Sequence, residues 1–150
     1  MHTYASSGRL WVLWLIASLI AVAAVPSTFA AETEATSAIE KWLKIIDAGE
    51  YAKSWKEAST DFQKAVTEEK WVGAMNAVRV PLGKCESRQL ASALHQTEVP
   101  TPTGEIIKGD FVIAQFETAF ENLKYAVETV TFVKEGGTWK ASGYYVKPKV

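Results

Sequence analysis

Glu117, Glu128 and Tyr144 carry the strongest hint of chemistry in this chain. The two acids stand on consecutive strand-like segments, which a turn near Asn122 and Leu123 brings side by side. An acid held inward beneath a sheet has a raised pKa and can transfer protons, with a tyrosine as its partner. Side-chain alternation argues the other way. In "FVIAQFETAF" the apolar set is Val112, Ala114, Phe116, Thr118 and Phe120, which puts Gln115 and Glu117 on the opposite face. Glu128 is set against Val127 and Thr129 in the same manner. Both acids are therefore expected to be solvated cross-strand residues.

Arg79 and Arg88 are the other candidates, one on either side of Cys85 in "WVGAMNAVRVPLGKCESRQL". A guanidinium past a helix end bonds its free carbonyls or pairs with a carboxylate across the domain. Aimed into a pocket, it recognises a carboxylate or phosphate ligand instead. The structural use is the expected one, since most side-chain hydrogen bonds serve local order. Cys85 is the only cysteine and has no activating neighbour in sequence, so it is expected to be a buried, inert thiol. A metal site is not expected: only His2 and His95 are present, and His2 falls in the leader described next. No glycine-rich phosphate loop, nucleophile elbow or paired cysteines occur, and no cofactor is called for.

The elements that would position these residues begin after an unusual start. Arg9 precedes an uncharged apolar run from Leu10 to Val25, Pro26 breaks it, and small residues follow in "STFA-AET". That order is a secretory signal peptide, with cleavage expected after Ala30. The run is 16 residues long, short of the ~20 that span a bilayer, which favours removal over retention as an anchor. The reading divides the chain into a signal peptide, 1–30, and one domain, 31–150. The product would be exported, periplasmic or secreted, and held by no membrane once processed. The whole chain carries a formal charge of −1, and losing Arg9 makes the remainder more negative, which argues against nucleic acid as a partner.

Within the domain, Ala35, Ala38, Ile39, Trp42, Leu43 and Ile46 recur at helical spacing, with Thr33 or Thr36 as cap and Gly49 as stop. A second stripe starts at Tyr51 and Trp55, and "AST" at 58–60 can interrupt it. Thr67 opens a third helix with Trp71, Ala74, Met75 and Val78 on its apolar face, and Arg79 beside that face. Pro81 should push Val80 out of helical dihedrals and end it. From Lys84 the composition turns to β-branched and aromatic residues, with hairpin signals at Glu135-Gly136-Gly137-Thr138 and, more weakly, in "FENLK". Helices followed by about four strands in a meander predict an α+β domain with helices covering one face of an antiparallel sheet. Of the aromatics Trp42, Trp55, Trp71, Trp139, Tyr144 and Tyr145, the first three are read as core and Trp139 as a strand residue facing them; a binding platform forms only where several are exposed together.

"DAGEYAKSWKEAS" (47–59), Trp71, "RVPLGKCESR" (79–88), "PTGEIIKGDFVIAQFETAF" (102–120) and "ETVTFVKEGGTWKASGYYV" (128–146) together resemble the bacterial domain-of-unknown-function family 4019. The resemblance covers nearly the whole expected domain. It implies an exported single domain with a curved four-stranded sheet in a cone-like fold, similar to the nuclear-transport-factor-2 and cystatin-like group, and it implies no activity. Such cones often hold a pocket between sheet and helices. The expected function is non-catalytic binding of a small molecule or an envelope protein, with Arg79, Arg88, Glu117, Glu128 and Tyr144 as pocket candidates. The alternatives are a small enzyme using Glu117 or Glu128 with Tyr144, and a self-associating module; monomer or weak homodimer is the expected state.

Overall fold

The computed structural model describes residues 27–101 and 103–150; the apolar run and the charged start of the leader lie outside the described residues. Four α-helices come first: α1 (Ser27–Asp47), α2 (Tyr51–Lys56), α3 (Thr60–Ala65) and α4 (Glu68–Arg79). Four strands follow: β1 (Cys85–Pro100), β2 (Ile106–Phe120), β3 (Leu123–Glu135) and β4 (Thr138–Pro148). Each strand pairs antiparallel with the next, in the order β1-β2-β3-β4, so the sheet is an open meander with β1 and β4 at its edges. Bulges interrupt all three pairings, three of them between β1 and β2, and bulges of this kind bend a sheet. The α+β architecture with a curved sheet is as expected from the order of the elements.

The apolar stripe of α1 (Ala35, Ile39, Trp42, Leu43, Ile46) packs onto Val112, Ala114 and Phe116 of β2 and Val130 and Phe132 of β3. Trp42 is the hub. Its ring meets Phe132 edge-on at 6.0 Å and Tyr144 at 5.9 Å, and its indole N–H donates to Ser54 O at 2.9 Å. Ser54 is fully buried, and its hydroxyl also accepts from Trp71 Nε1 at 2.9 Å. One small polar residue thus satisfies two indoles and ties α1, α2 and α4 together, as buried donors require.

Three local expectations change, and the interruption of the second stripe at "AST" is met. Thr33 and Thr36 do not cap α1, because both lie inside Ser27–Asp47; their hydroxyls donate back to Phe29 O and Glu32 O. The second stripe is two helices, because the chain leaves helical geometry at Ala58 and Ser59 so that Ser59 N–H can donate to Ala141 O on β4 at 2.8 Å. Ser59 then caps α3 by accepting from Phe62 N–H. Val80 remains helical (φ −59°, ψ −46°), since Pro81 fits the first turn of a short 3-10 helix, Val80–Leu82, which ends at Gly83. On α4 the buried face is Trp71, Met75 and Arg79, at i, i+4 and i+8, whereas Val78 is exposed. The Thr67 cap and both predicted hairpins are present, with Gly136 and Gly137 at φ +58° and +82°.

The corner after α4 is pinned. Asn122 in the β2–β3 turn donates from Nδ2 to Pro81 O and from its backbone N–H to Leu82 O. Gly83 has φ +73°, and a Cβ there would lie 2.7 Å from Glu121 Oε2. Only glycine fits both that dihedral and that approach.

A buried ion-pair cluster as the candidate functional site

Four of the five sequence candidates converge beneath the sheet. On β3 the inward set is Ala126, Glu128, Val130 and Phe132, so Glu128 faces the helices and is fully buried. This corrects the solvated reading of Glu128. Val127, Thr129, Thr131 and Val133 imitate an inward β-branched row, but the aromatic ring of Phe132 fixes the face, and counting back by twos reaches Glu128. Glu117 is exposed on the other face, as alternation predicts, and pairs with Lys149 at 2.7 Å. The two acids are not neighbours: Glu128 opposes Phe116, and Glu117 opposes Val127.

Every lone-pair direction of the Glu128 carboxylate is engaged. Oε2 accepts from Arg88 Nε at 2.6 Å and from Thr118 Oγ1 at 2.6 Å. Oε1 accepts from the Tyr144 hydroxyl at 2.5 Å and from Arg88 Nη2 at 3.3 Å. Arg88 extends from β1 between two acids, for its Nη1 and Nη2 also donate to Asp47 Oδ2 and Oδ1 at 2.7 and 2.9 Å. Asp47, the last residue of α1, additionally accepts from Arg79 Nη2 at 2.9 Å. Two guanidinium groups and two carboxylates therefore form one chain linking α1, α4, β1 and β3.

Burial opposes the charged form of Arg88, yet the hydrogen bonds and charges of Asp47 and Glu128 outweigh it and hold the guanidinium more firmly protonated than usual. Burial pushes the Tyr144 phenol well above its ordinary range, and the adjacent Glu128 adds to the rise. Arg79 differs from Arg88. Its side chain is 3% exposed and its guanidinium carbon lies 4.3 Å from the Phe120 ring centroid, but Nε and Nη1 are buried without a hydrogen-bond partner. The stack on Phe120 is what those two donors have in exchange.

Asp47 and Thr118 were not singled out from sequence. A signal existed for Asp47, since an acid at a helix C-terminus sits against the negative end of the dipole and needs a cation nearby. Thr118 was counted with the apolar residues of its strand, and its hydroxyl gave no separate cue. Cys85 is half-buried, not buried, with its thiol 3.7 Å from Ser87 O. Burial raises its pKa against the opposing charge of Arg88, which keeps it a thiol. His95 lies away from the cluster and approaches Asp110 Oδ1 at 3.3 Å. Among the described residues no group of three His, Cys, Asp or Glu side chains converges as metal ligands would. Trp42, Trp71 and Trp139 are buried, and Tyr145 is exposed.

A family model described as "Protein of unknown function (DUF4019)" matches residues 38–144, a span that runs from α1 to β4 and contains the whole cluster. No curated protein matches the chain.

Proposed function

Because the chain belongs to this family of proteins of unknown function, its role has to be read from its own geometry, and we propose an exported, non-catalytic domain that binds a small ligand or a protein partner in the cell envelope. The observation that carries the non-catalytic part is the saturation of Glu128. Its two oxygens accept four donors, and the arginine that lies between it and Asp47 bonds both acids. A general base needs a free lone pair facing substrate, and this carboxylate has none to offer. The Glu128–Tyr144 contact is the one feature that favours the enzymatic reading, but a phenol with a raised pKa that donates to a buried carboxylate is a fixed strut. The cluster acts as the keystone that fixes α1 and α4 against a curved sheet, in the manner of cone-like nuclear-transport-factor-2 and cystatin-like domains.

Export is supported by where packing starts. Ser27, Thr28, Phe29 and Ala30 are exposed, whereas Ala31 packs against the core and Glu32 Oε1 accepts from His95 N–H. A cut after Ala30 would leave the packed domain whole. No helix among the described residues is long and apolar enough to cross a membrane. N-terminal sequencing of the chain recovered from envelope and medium tests this: a product beginning at Ala31 is expected, and an intact chain confined to the cytosol would refute export. Thermal-shift screening of the same material against small molecules tests the binding role. A compound that raises the melting temperature, with unchanged affinity in Glu128→Gln, keeps the cluster structural; turnover abolished by that variant would make it an enzyme.

A further inference from the structure

The edge of β4 is covered from within at Ala141, by the parallel bridge to Ala58 and the Ser59 N–H bond to Ala141 O. From Ser142 to Lys147 nothing among the described residues pairs with it, and along such an edge alternate residues direct N–H and C=O groups outward. Beside this open stretch lies an apolar crevice of about 180 Å³, between Trp71, Ala74, Met75 and Val78 of α4 and Tyr144 and Val146 of β4. Its rim is unusually apolar for a surface: Val78 is 44% exposed and Tyr145 59%. At ~30 Å³ per water the crevice holds about six waters' worth of volume, the scale of one large side chain. Lys147 at the far end forms no ion pair among the described residues.

We propose that the open edge of β4 and the crevice beside α4 together bind an extended segment of a partner polypeptide, which adds as a fifth strand beyond Ala141, places one large apolar side chain in the crevice and sets an acidic residue against Lys147. Three features select a strand over a small apolar molecule. The edge supplies unmet backbone donors and acceptors that a hydrocarbon ligand would leave unpaired. The protein already bridges a link residue of its own, Ala58, to the preceding position of the same edge. The single pocket has the scale and placement from which strand addition draws side-chain specificity. A second copy fits less well, since its own β4 carries no acidic residue to set against Lys147. The proposal rests on the binding role above and names the partner class for it.

The test uses the full chain and a fluorescent, N-acetylated hexapeptide that alternates threonine with valine and phenylalanine and carries one glutamate. Anisotropy should report binding, and amide shifts in the nitrogen-15-labelled chain should concentrate at Ser142 to Lys147 and near Val78. Ala74→Trp fills the crevice from an exposed position and should weaken binding at least about tenfold. Ala77→Trp, exposed but outside the crevice, should not. Val78→Glu is the second variant should Ala74→Trp perturb folding by circular dichroism. The same peptide with alternate amides N-methylated should lose binding. Equal affinity for the methylated peptide, shifts confined to β1, or no binding at millimolar peptide would each overturn strand addition. So would a dimer in sedimentation whose contacts are these residues. A small molecule bound elsewhere would leave the broader binding role standing while this proposal fell.

Discussion

Arg88 and Glu128 meet as a two-pronged pair across the sheet, with Nε 2.6 Å from Oε2 and Nη2 3.3 Å from Oε1, and the glutamate fully buried. A buried pair is weak evidence of net stabilisation, because both ions were taken from water. Breaking it is another matter. Glu128→Leu leaves Arg88 with Asp47 alone and removes the acceptor of Tyr144 and Thr118, so a loss of about 3–5 kcal/mol is expected in urea unfolding. Arg88→Met with Glu128→Leu should recover much of that loss, and a double variant no better than its parts would refute the coupling.

Arg79 should matter less than Arg88 although it is the more deeply buried, 3% exposed against 14%. Its removal leaves Asp47 with two bonds from Arg88 and abolishes two buried, unpartnered donors. Arg79→Met is therefore expected to cost at least about 1 kcal/mol less than Arg88→Met, that being the low end of what an unsatisfied buried donor costs. Paired denaturation curves decide it, and the reverse order would show that the stack on Phe120 outweighs both orphaned donors.

Two groups give the stability a pH signature. Hydrogen bonds from Lys140 and Thr60 lower the Glu135 carboxyl to about 2. A lowered folded pKa contributes stability that is present above the unfolded value of ~4.3 and is lost as pH falls toward ~2. The melting-temperature gap between the wild type and Glu135→Gln should close between about pH 4 and 2, and to a lesser extent with added salt, since the pair is solvated. Tyr144 works at the other end. Its raised pKa keeps the folded chain protonated while the unfolded chain ionises near pH ~10, so stability falls as pH rises past that point. Phenolate absorbance should show a step that appears only with alkaline unfolding and is missing in Tyr144→Phe.

Two glycines should respond oppositely to alanine. Gly73 lies inside α4 with nothing within 4 Å of an added Cβ, so Gly73→Ala should stabilise by roughly 0.5–1 kcal/mol. Gly83→Ala must hold φ +73° and push into Glu121, with Glu121 Cβ at 2.9 Å, so a loss of about 1–3 kcal/mol is expected. Equal effects at both sites in thermal melts would remove the distinction.

The order of elements was legible because periods of 3.6 and 2 alternate cleanly and because Gly-Gly and Thr67 mark their own turns. The site was less so. A guanidinium reads as polar and so places Arg79 beside the apolar face, whereas 71, 75 and 79 lie on one line and the ring of Phe120 accepts the cation. Glu128 was misplaced because β3 is β-branched on one face and apolar on the other, so alternation had two solutions. Phe132 marks the buried one, but the partner that balances an acid there, Arg88, lies 40 residues away in sequence, beyond the reach of any local pattern.

That distance also bears on kinetics. Arg88 joins Asp47 across 41 positions and Glu128 across 40, so its bonds reward only a chain whose helices and meander are already in place. Bonds made after the folding barrier change the unfolding rate alone, so Arg88→Met is expected to speed unfolding and leave folding unchanged in chevron kinetics. On that expectation the ion-pair cluster is a latch on unfolding: it sets how slowly the domain opens and has little say in how fast it forms.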